Sequence, residues 1–234
     1  MSKPDNNPLL AKRQENEARF AYVRILELHH APVQGLFDAA HLREINRRIF
    51  QDLPKLGYAD VKPGQYRPPV EDGRDWLKTR YLETVRHSLT VAYSAMDQAS
   101  QKQIEQVLKA ADPTRLSTLS VDEFADEIGD LYTNLDYLHP FADGNSRTLR
   151  VFTQQLARES GFALDWERFA KTPAGRDQVY IARDLSVNQL ALAKVQDPGT
   201  QRDIIFSLDI FEGNKDLPAL IKEITRPASA VVPR

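Results

Sequence analysis

The sequence predicts an all-α domain with at most one small β-hairpin, and three observations support this. Most of the chain divides into segments whose apolar residues recur at steps of three and four, the period of a helix. Helix start signals stand where such segments begin, most clearly in Ser120-Val-Asp-Glu123, a capping box. Only residues 88–93 have marked strand character, and that run is too short for more than a hairpin.

Residues 1–8 are rich in Asn, Asp and Pro and are expected to form a disordered tail. From 9 to about 30 the pattern is helical, with Leu10, Phe20, Val23 and Leu26 marking its apolar face. Asp38 is placed to cap a second helix, with Phe37 before it as a staple residue. Leu42, Ile45, Ile49 and Leu53 then follow at helical spacing. Residues 54–73 hold Pro54, Gly57, Pro63, Gly64, Pro68, Pro69 and Gly73, a density that excludes a helix interior and predicts a long ordered loop or flap.

Residues 75–87 are expected to be helical, 88–93 a strand, and 100–111 a helix ending at Asp112-Pro113. The capping box opens the best amphipathic helix, marked by Val121, Phe124, Ile128, Leu131, Leu135 and Leu138. It delivers the chain to His139, where Pro140 limits continuation. Helical pattern resumes over 145–160, with Leu149, Phe152 and Leu156 on one face and Gly161 as its stop. Further helices are expected over 165–171, 176–194, 202–211 and 217–224, the last followed by a Pro-containing tail.

A length of 234 residues suits one domain with tails. The net charge of −2 gives no reason to expect nucleic acid or an acidic membrane as partner. The absence of cysteine excludes disulfides and thiolate metal sites and fits a reducing compartment. The polar N-terminus has no signal-peptide core, and no apolar run approaches the ~18 residues needed to span a bilayer. A cytoplasmic setting is the expectation, with delivery into another cell left open.

The chemistry concentrates in His139-Pro-Phe-Ala-Asp-Gly-Asn-Ser-Arg-Thr-Leu-Arg150. A phosphate at the start of the helix after this loop would meet the free N–H groups of its first turn and the positive end of its dipole. Gly144 lets the backbone approach closely. Arg147 and Arg150, three apart on one helix, can share a face and take phosphate oxygens in pairs. Asp143 beside such phosphates suits Mg²⁺, which takes one or two carboxylates plus phosphate oxygens. His139 can remove a proton from a hydroxyl near neutral pH. Each residue also has a plain structural role open to it: His139 as a helix cap, Phe141 as a core anchor, Asp143-Gly144 as a turn, and the arginines as a solvated face.

This stretch resembles the Fic-domain signature His-x-Phe-x-Asp/Glu-Gly-Asn-Gly/Lys-Arg-x-x-Arg and departs from it only at Ser146. Phe20-Ala-Tyr-Val-Arg-Ile-Leu-Glu-Leu, Leu42-Arg-Glu-Ile-Asn-Arg-Arg-Ile-Phe, Gln155-Leu-Ala-Arg-Glu-Ser-Gly and Asp165-Trp also resemble segments of stand-alone bacterial Fic toxins. The resemblance implies a Fic domain over 9–214, with 215–234 as an extension or tail. It implies transfer of AMP from ATP to a Ser, Thr or Tyr hydroxyl of a target protein. In that scheme His139 is the general base, Phe141 packs into the core, Asp143 holds Mg²⁺, and Gly144, Asn145, Ser146 and the next amides form the anion hole. Arg147 and Arg150 then bind the β- and γ-phosphates.

Ser146 stands where AMP-transferring members have Gly and the related Doc kinases have Lys. The alternatives are therefore a degenerate module that binds nucleotide or a partner without transfer, a Doc-like kinase, or an enzyme that removes AMP. The resemblance also implies a target-positioning flap, expected in 88–94 or the Pro/Gly-rich loop. Tyr180 is a candidate for the adenine, with a role in the core equally open. Many relatives carry an inhibitory Ser/Thr-x-x-x-Glu-Gly/Asn helix. Ser207 to Glu212-Gly213 is one residue too long for it, and Glu15-Asn16 has Ala11 at the serine position. A separate small antitoxin supplying the inhibitory glutamate is the expected regulator.

Overall fold

The computed structural model describes residues 8–71 and 74–228. The tail expected over 1–8 therefore lies outside them except for Pro8, as do Gly73 and the last residues of the C-terminal tail. Ten α-helices, a short 3-10 turn (Pro54–Leu56) and two small two-stranded antiparallel sheets form the regular structure of the described residues, which bears out the all-α expectation.

Helix α5 (Val121–Leu138) is the axis of the fold. The Ser120–Glu123 capping box closes in both directions at its start. Phe124, Ile128, Tyr132 and Leu135 are fully buried. Around it pack α3 (Gln98–Leu108), α6 (Asn145–Glu159), α8 (Pro173–Leu192) and α10 (Leu217–Ile224). Gly129 permits the close approach of α10, because a Cβ there would strike the backbone and ring of Pro218. The apolar face of α10, Leu217, Leu220, Ile221 and Ile224, is fully buried in the stretch expected to extend beyond the domain.

Helix α1 (Pro8–His30) packs on α2 (Ala39–Phe50) and α2 on α6. Asp38 caps α2 by accepting from the His41 amide at 2.9 Å, and Phe37 stacks on the His41 ring. Leu42, Ile45, Ile49 and Leu53 are buried as expected. The face expected for α1 is not the one used. Leu10, Val23 and Leu26 are exposed, while Ala21 and Leu28 are buried and Ile25 packs on the core. The helix carries apolar residues on more than one face, and contact with α2 selects among them.

The expected helix over 75–87 is a strand and a turn. Strand β1 (Trp76–Leu82) pairs antiparallel with β2 (His87–Tyr93), from Trp76 opposite Tyr93 to Leu82 opposite His87. Half-buried Trp76, Lys78 and Arg80 alternate with exposed Leu77, Thr79 and Tyr81, a period of two that a helical reading misses. Arg86, at φ 55, closes the turn. Helix α4 (Pro113–Leu116) starts at Asp112, and α9 (Pro198–Ile210) starts at the Asp197 cap, earlier than expected. The helix expected over 165–171 shrinks to α7 (Glu167–Ala170). Before it, β3 (Phe162–Leu164) pairs with β4 (Thr225–Pro227), an unanticipated two-stranded antiparallel sheet made by segments far apart in sequence.

Candidate active site

The loop between α5 and α6 is held from several sides. His139 ends α5 in the left-handed region at φ 46, a conformation that costs a β-carbon-bearing residue about 1 kcal/mol or more unless its surroundings impose it. They do so through Arg67. This residue of the Pro/Gly-rich loop donates from Nε to the His139 carbonyl at 2.8 Å and from its amide to the Pro140 carbonyl at 2.8 Å. Its other guanidinium arm reaches the Ser94 carbonyl, and its plane lies over the Trp76 ring at 4.3 Å. Ser94 in turn donates to the Leu138 carbonyl at 2.8 Å.

Phe141 is buried against Tyr66. The Asn145 side chain closes a ring on Phe141, accepting from its amide at 3.0 Å and donating to its carbonyl at 2.7 Å. Gly144 turns the chain into α6 at φ 77, and its missing β-carbon leaves room for the Phe50 ring. A glycine offers no side-chain cap, so the first amides of α6, from Asn145, Ser146 and Arg147, face outward for an external acceptor.

Ser146, Arg147 and Arg150 line one groove of about 660 Å³ together with Tyr180. Arg150 donates to the Ser146 carbonyl at 3.4 Å, and among the described residues no carboxylate forms an ion pair with it. Arg147 is paired with Glu17 of α1 and lies over the Phe50 ring. Asp143 is exposed at the loop's rim, with Lys78 of β1 3.8 Å from its carboxylate. Lys78 also donates to the Ala142 carbonyl at 3.2 Å.

His139 is almost completely buried, and its Nε2 has no hydrogen-bond partner among the described residues. Tyr93 lies against the ring with centroids 3.8 Å apart. Burial pushes the imidazole down to about 4, aided by the charges of Lys78 and Arg183 and opposed by Asp136. The ring is therefore neutral at pH 7 and can accept a proton. Burial would raise Asp136, but the charge and bonds of Arg183, with the His139 contact, hold it well below the usual carboxylate range.

This sequence and fold have known counterparts. The model of the Fic/DOC family matches residues 36–157, more than half of the chain. The chain belongs to the Fic/DOC family. The Fic chain is 31% identical over 170 residues to the protein adenylyltransferase VbhT of Bartonella schoenbuchensis, covering 72% of this chain and 31% of that protein. It thus spans less than a third of that relative's length. It is 24% identical over 196 residues to the probable protein adenylyltransferase Fic of Escherichia coli, covering 81% of this chain and 86% of that one. The same fold occurs in the N-terminal Fic domain of a Bartonella effector protein from Bartonella sp. AR 15-3, at a TM-score of 0.60 and 19% identity, covering 96% and 86% of the two chains. It occurs also in BepC of Bartonella tribocorum, solved with bound AMPPNP, at a TM-score of 0.57 and 19% identity over 93% and 88%.

Of the Fic motif residues named from sequence, Ser146, Arg147 and Arg150 line the groove, whereas Phe141 and Asp143 line a separate, smaller cavity with Glu17 and Phe50. Tyr180 stands in that groove, with the Arg80 guanidinium over its ring at 4.3 Å. Ser207 serves elsewhere. Its hydroxyl accepts from the Thr90 amide at 3.1 Å and ties α9 to the hairpin. Among the described residues no helix is long and apolar enough to cross a membrane. Sequence reasoning missed Glu17, Arg67, Lys78, Asp136 and Arg183. Asp136 carried a signal, a carboxylate on the buried side of an amphipathic helix, one turn before the histidine. Arg67 and Lys78 carried none, because their partners lie far along the chain.

Proposed function

We propose that this chain transfers AMP from Mg-ATP to a Ser, Thr or Tyr hydroxyl of a target protein. The observation that carries the reading is the pairing of a neutral buried His139, Nε2 unpartnered, with the amide-rich start of α6 on one loop. His139 Nε2 takes the hydroxyl proton as the oxygen attacks the α-phosphorus. A new P–O bond forms, the bond to the bridging oxygen breaks, and pyrophosphate leaves. The amides of Asn145, Ser146 and Arg147 and the guanidinium groups of Arg147 and Arg150 hold the phosphates, positioning and stabilising charge in an in-line displacement.

Asp143 would hold Mg²⁺. Its exposed carboxylate is single, which suits an ion that takes few protein ligands and completes its shell with phosphate oxygens and water. The ion would supply neutralisation of phosphate charge. The adenine falls to the Tyr180 side of the groove. The hairpin β1–β2 offers the outer edge of β1 to an extended target segment, which would add as a strand. VbhT and the Escherichia coli relative carry the name of this activity, which supports the reading.

Incubation with lysate and Mg-ATP tests it. A protein band labelled from the α-phosphate, and lost with His139→Ala, is the expected result. Label from the γ-phosphate makes the chain a kinase and overturns AMP transfer.

Ser146 favours a second reading, binding without transfer, since a hydroxyl occupies the motif position otherwise taken by Gly or Lys. ATP binding by calorimetry with no mass gain on any lysate protein would select it. We further propose a toxin or effector setting, with a small antitoxin presenting a glutamate to Arg150, which has no internal carboxylate partner among the described residues. Relief of growth arrest by such a chain, lost with Arg150→Ala, is the check.

A further inference from the structure

Adjacent residues of α8 form two ion pairs with partners on two other elements, and the first of these is buried beside His139. Arg183 donates to both oxygens of Asp136 on α5, from Nε at 2.9 Å and from a terminal nitrogen at 2.7 Å. Its neighbour Asp184 takes Arg80 of the hairpin. Asp136 and Arg183 are each about 2% exposed or less. Buried charges of this kind do not add stability over apolar residues of similar volume, so their presence beside the histidine asks for another reason.

Geometry supplies one. Asp136 stands one helical turn before His139 and turns two acceptors toward Nδ1: its main-chain carbonyl at 3.4 Å and its carboxylate at 3.8 Å. None of the described donors bonds to Nδ1. A proton on Nδ1 meets two acceptors, whereas a proton on Nε2 would leave Nδ1 facing them with a lone pair. We propose that Asp136 and Arg183 act together as a positioning pair for His139. The carboxylate keeps the ring proton on Nδ1 and Nε2 free, and the guanidinium holds the carboxylate's charge back from the ring so that the base stays neutral. This inference rests on His139 being the base.

The other groups facing His139 are Lys78 of β1, Tyr93 of β2 and Arg67, which bonds its carbonyl. Lys78 and Arg183 oppose protonation, and Asp136 alone favours it. The fork of Arg183 takes both Asp136 oxygens, which weakens that one opposing influence. Removing Arg183 therefore raises the acid limb of activity, and removing Asp136 lowers it.

The test uses the full chain labelled with ¹⁵N-histidine, the His139 signals being identified by their loss in His139→Ala. Wild type should show a neutral ring with the proton on Nδ1 across pH 5.5–8. Arg183→Gln should move the His139 titration and the acid limb of kcat up by about one pH unit. Arg183→Lys should leave the limb near the wild-type position; a shift as large as that of the glutamine variant overturns the charge argument. Single neutralisations leave a buried charge and can prevent folding, so the double variant Asp136→Asn/Arg183→Gln is decisive. It should lose the confined Nδ1 proton and about tenfold or more in kcat, with KM for ATP unchanged. Retention of both by the double variant means the Asp136 carbonyl alone orients the ring, and overturns the proposal. The tautomer is read without activity. Loss of the base assignment, seen as activity retained in His139→Ala, is thus separate from failure of the positioning pair.

Discussion

Arg67 and His139, 72 residues apart, meet through one side-chain to main-chain hydrogen bond of 2.8 Å, from the Arg67 Nε to the His139 carbonyl. That bond explains how a histidine ends a helix in the left-handed region and still has a fixed direction. It also explains a buried arginine with no carboxylate partner among the described residues: its partners are carbonyls of the loop and of Ser94. Burial lowers the guanidinium to about 10, so it is charged throughout the physiological range.

Arg67→Met removes the cation but leaves the His139 and Ser94 carbonyls unpaired. The expected loss is about 3 kcal/mol of stability, in line with two buried acceptors stripped of partners. Urea unfolding measures it, and kcat should fall with it because His139 loses its anchor. A variant of wild-type stability and kcat would show that the loop holds its shape without the arginine.

Glu17 occupies Arg147, one of the guanidinium groups lining the groove. On the proposed function, a phosphate bound at Arg147 would share or displace that carboxylate. Glu17→Gln should tighten ATP binding about fivefold, the worth of roughly 1 kcal/mol for a partly exposed pair. Calorimetry with and without Mg²⁺ reads the change. Weaker binding would assign Glu17 to aligning Arg147 rather than competing for it.

At Gly144, Ala brings two penalties: a positive φ and a methyl group directed into the buried Phe50 ring. A destabilisation of about 2–4 kcal/mol follows from strain and overpacking together. The paired change Gly144→Ala/Phe50→Leu should recover part of it in thermal melts. No recovery would put the whole cost on the backbone.

The low value for His139 sets a pH dependence of stability. Its folded form titrates near 4 against 6.5 for the ordinary group, so between those values the unfolded chain binds more protons. Stability is complete above pH 6.5 and falls as pH drops toward 4, by about 3 kcal/mol for a shift of that size. His41, also lowered by burial, acts in the same direction. His139→Gln should flatten the pH dependence of the melting temperature over pH 4–6.5. In wild type, kcat/KM should show no acid limb at 6.5, because the base is already deprotonated there.

The capped helices were legible in the sequence because their signals are local. Ser120 and Glu123 bond each other across three residues, Asp38 reaches the amide three positions on, and Gly161 at φ 82 ends α6 as its position suggests. The central loop was legible for the same reason: its histidine, carboxylate, glycine and arginines stand within one turn and one helix start. Residues 75–87 were misread because Trp76, Leu77, Tyr81 and Leu82 suit either period, and only pairing with residues 87–93 decides for a strand.

By itself, then, the sequence determined the helical class, the α5–loop–α6 unit and the Fic motif side chains placed on it. These follow from propensities, caps and spacings that act over a few residues. The tertiary structure alone decided the hairpin, the working face of α1, the β3–β4 pairing and the groups that govern His139. Each depends on contacts between residues distant in sequence: Asp136 with Arg183 at a separation of 47, Glu17 with Arg147 at 130. A side chain's charge is written at its position, but its partner is chosen when the chain packs, and the partner sets the protonation, direction and reach of the imidazole.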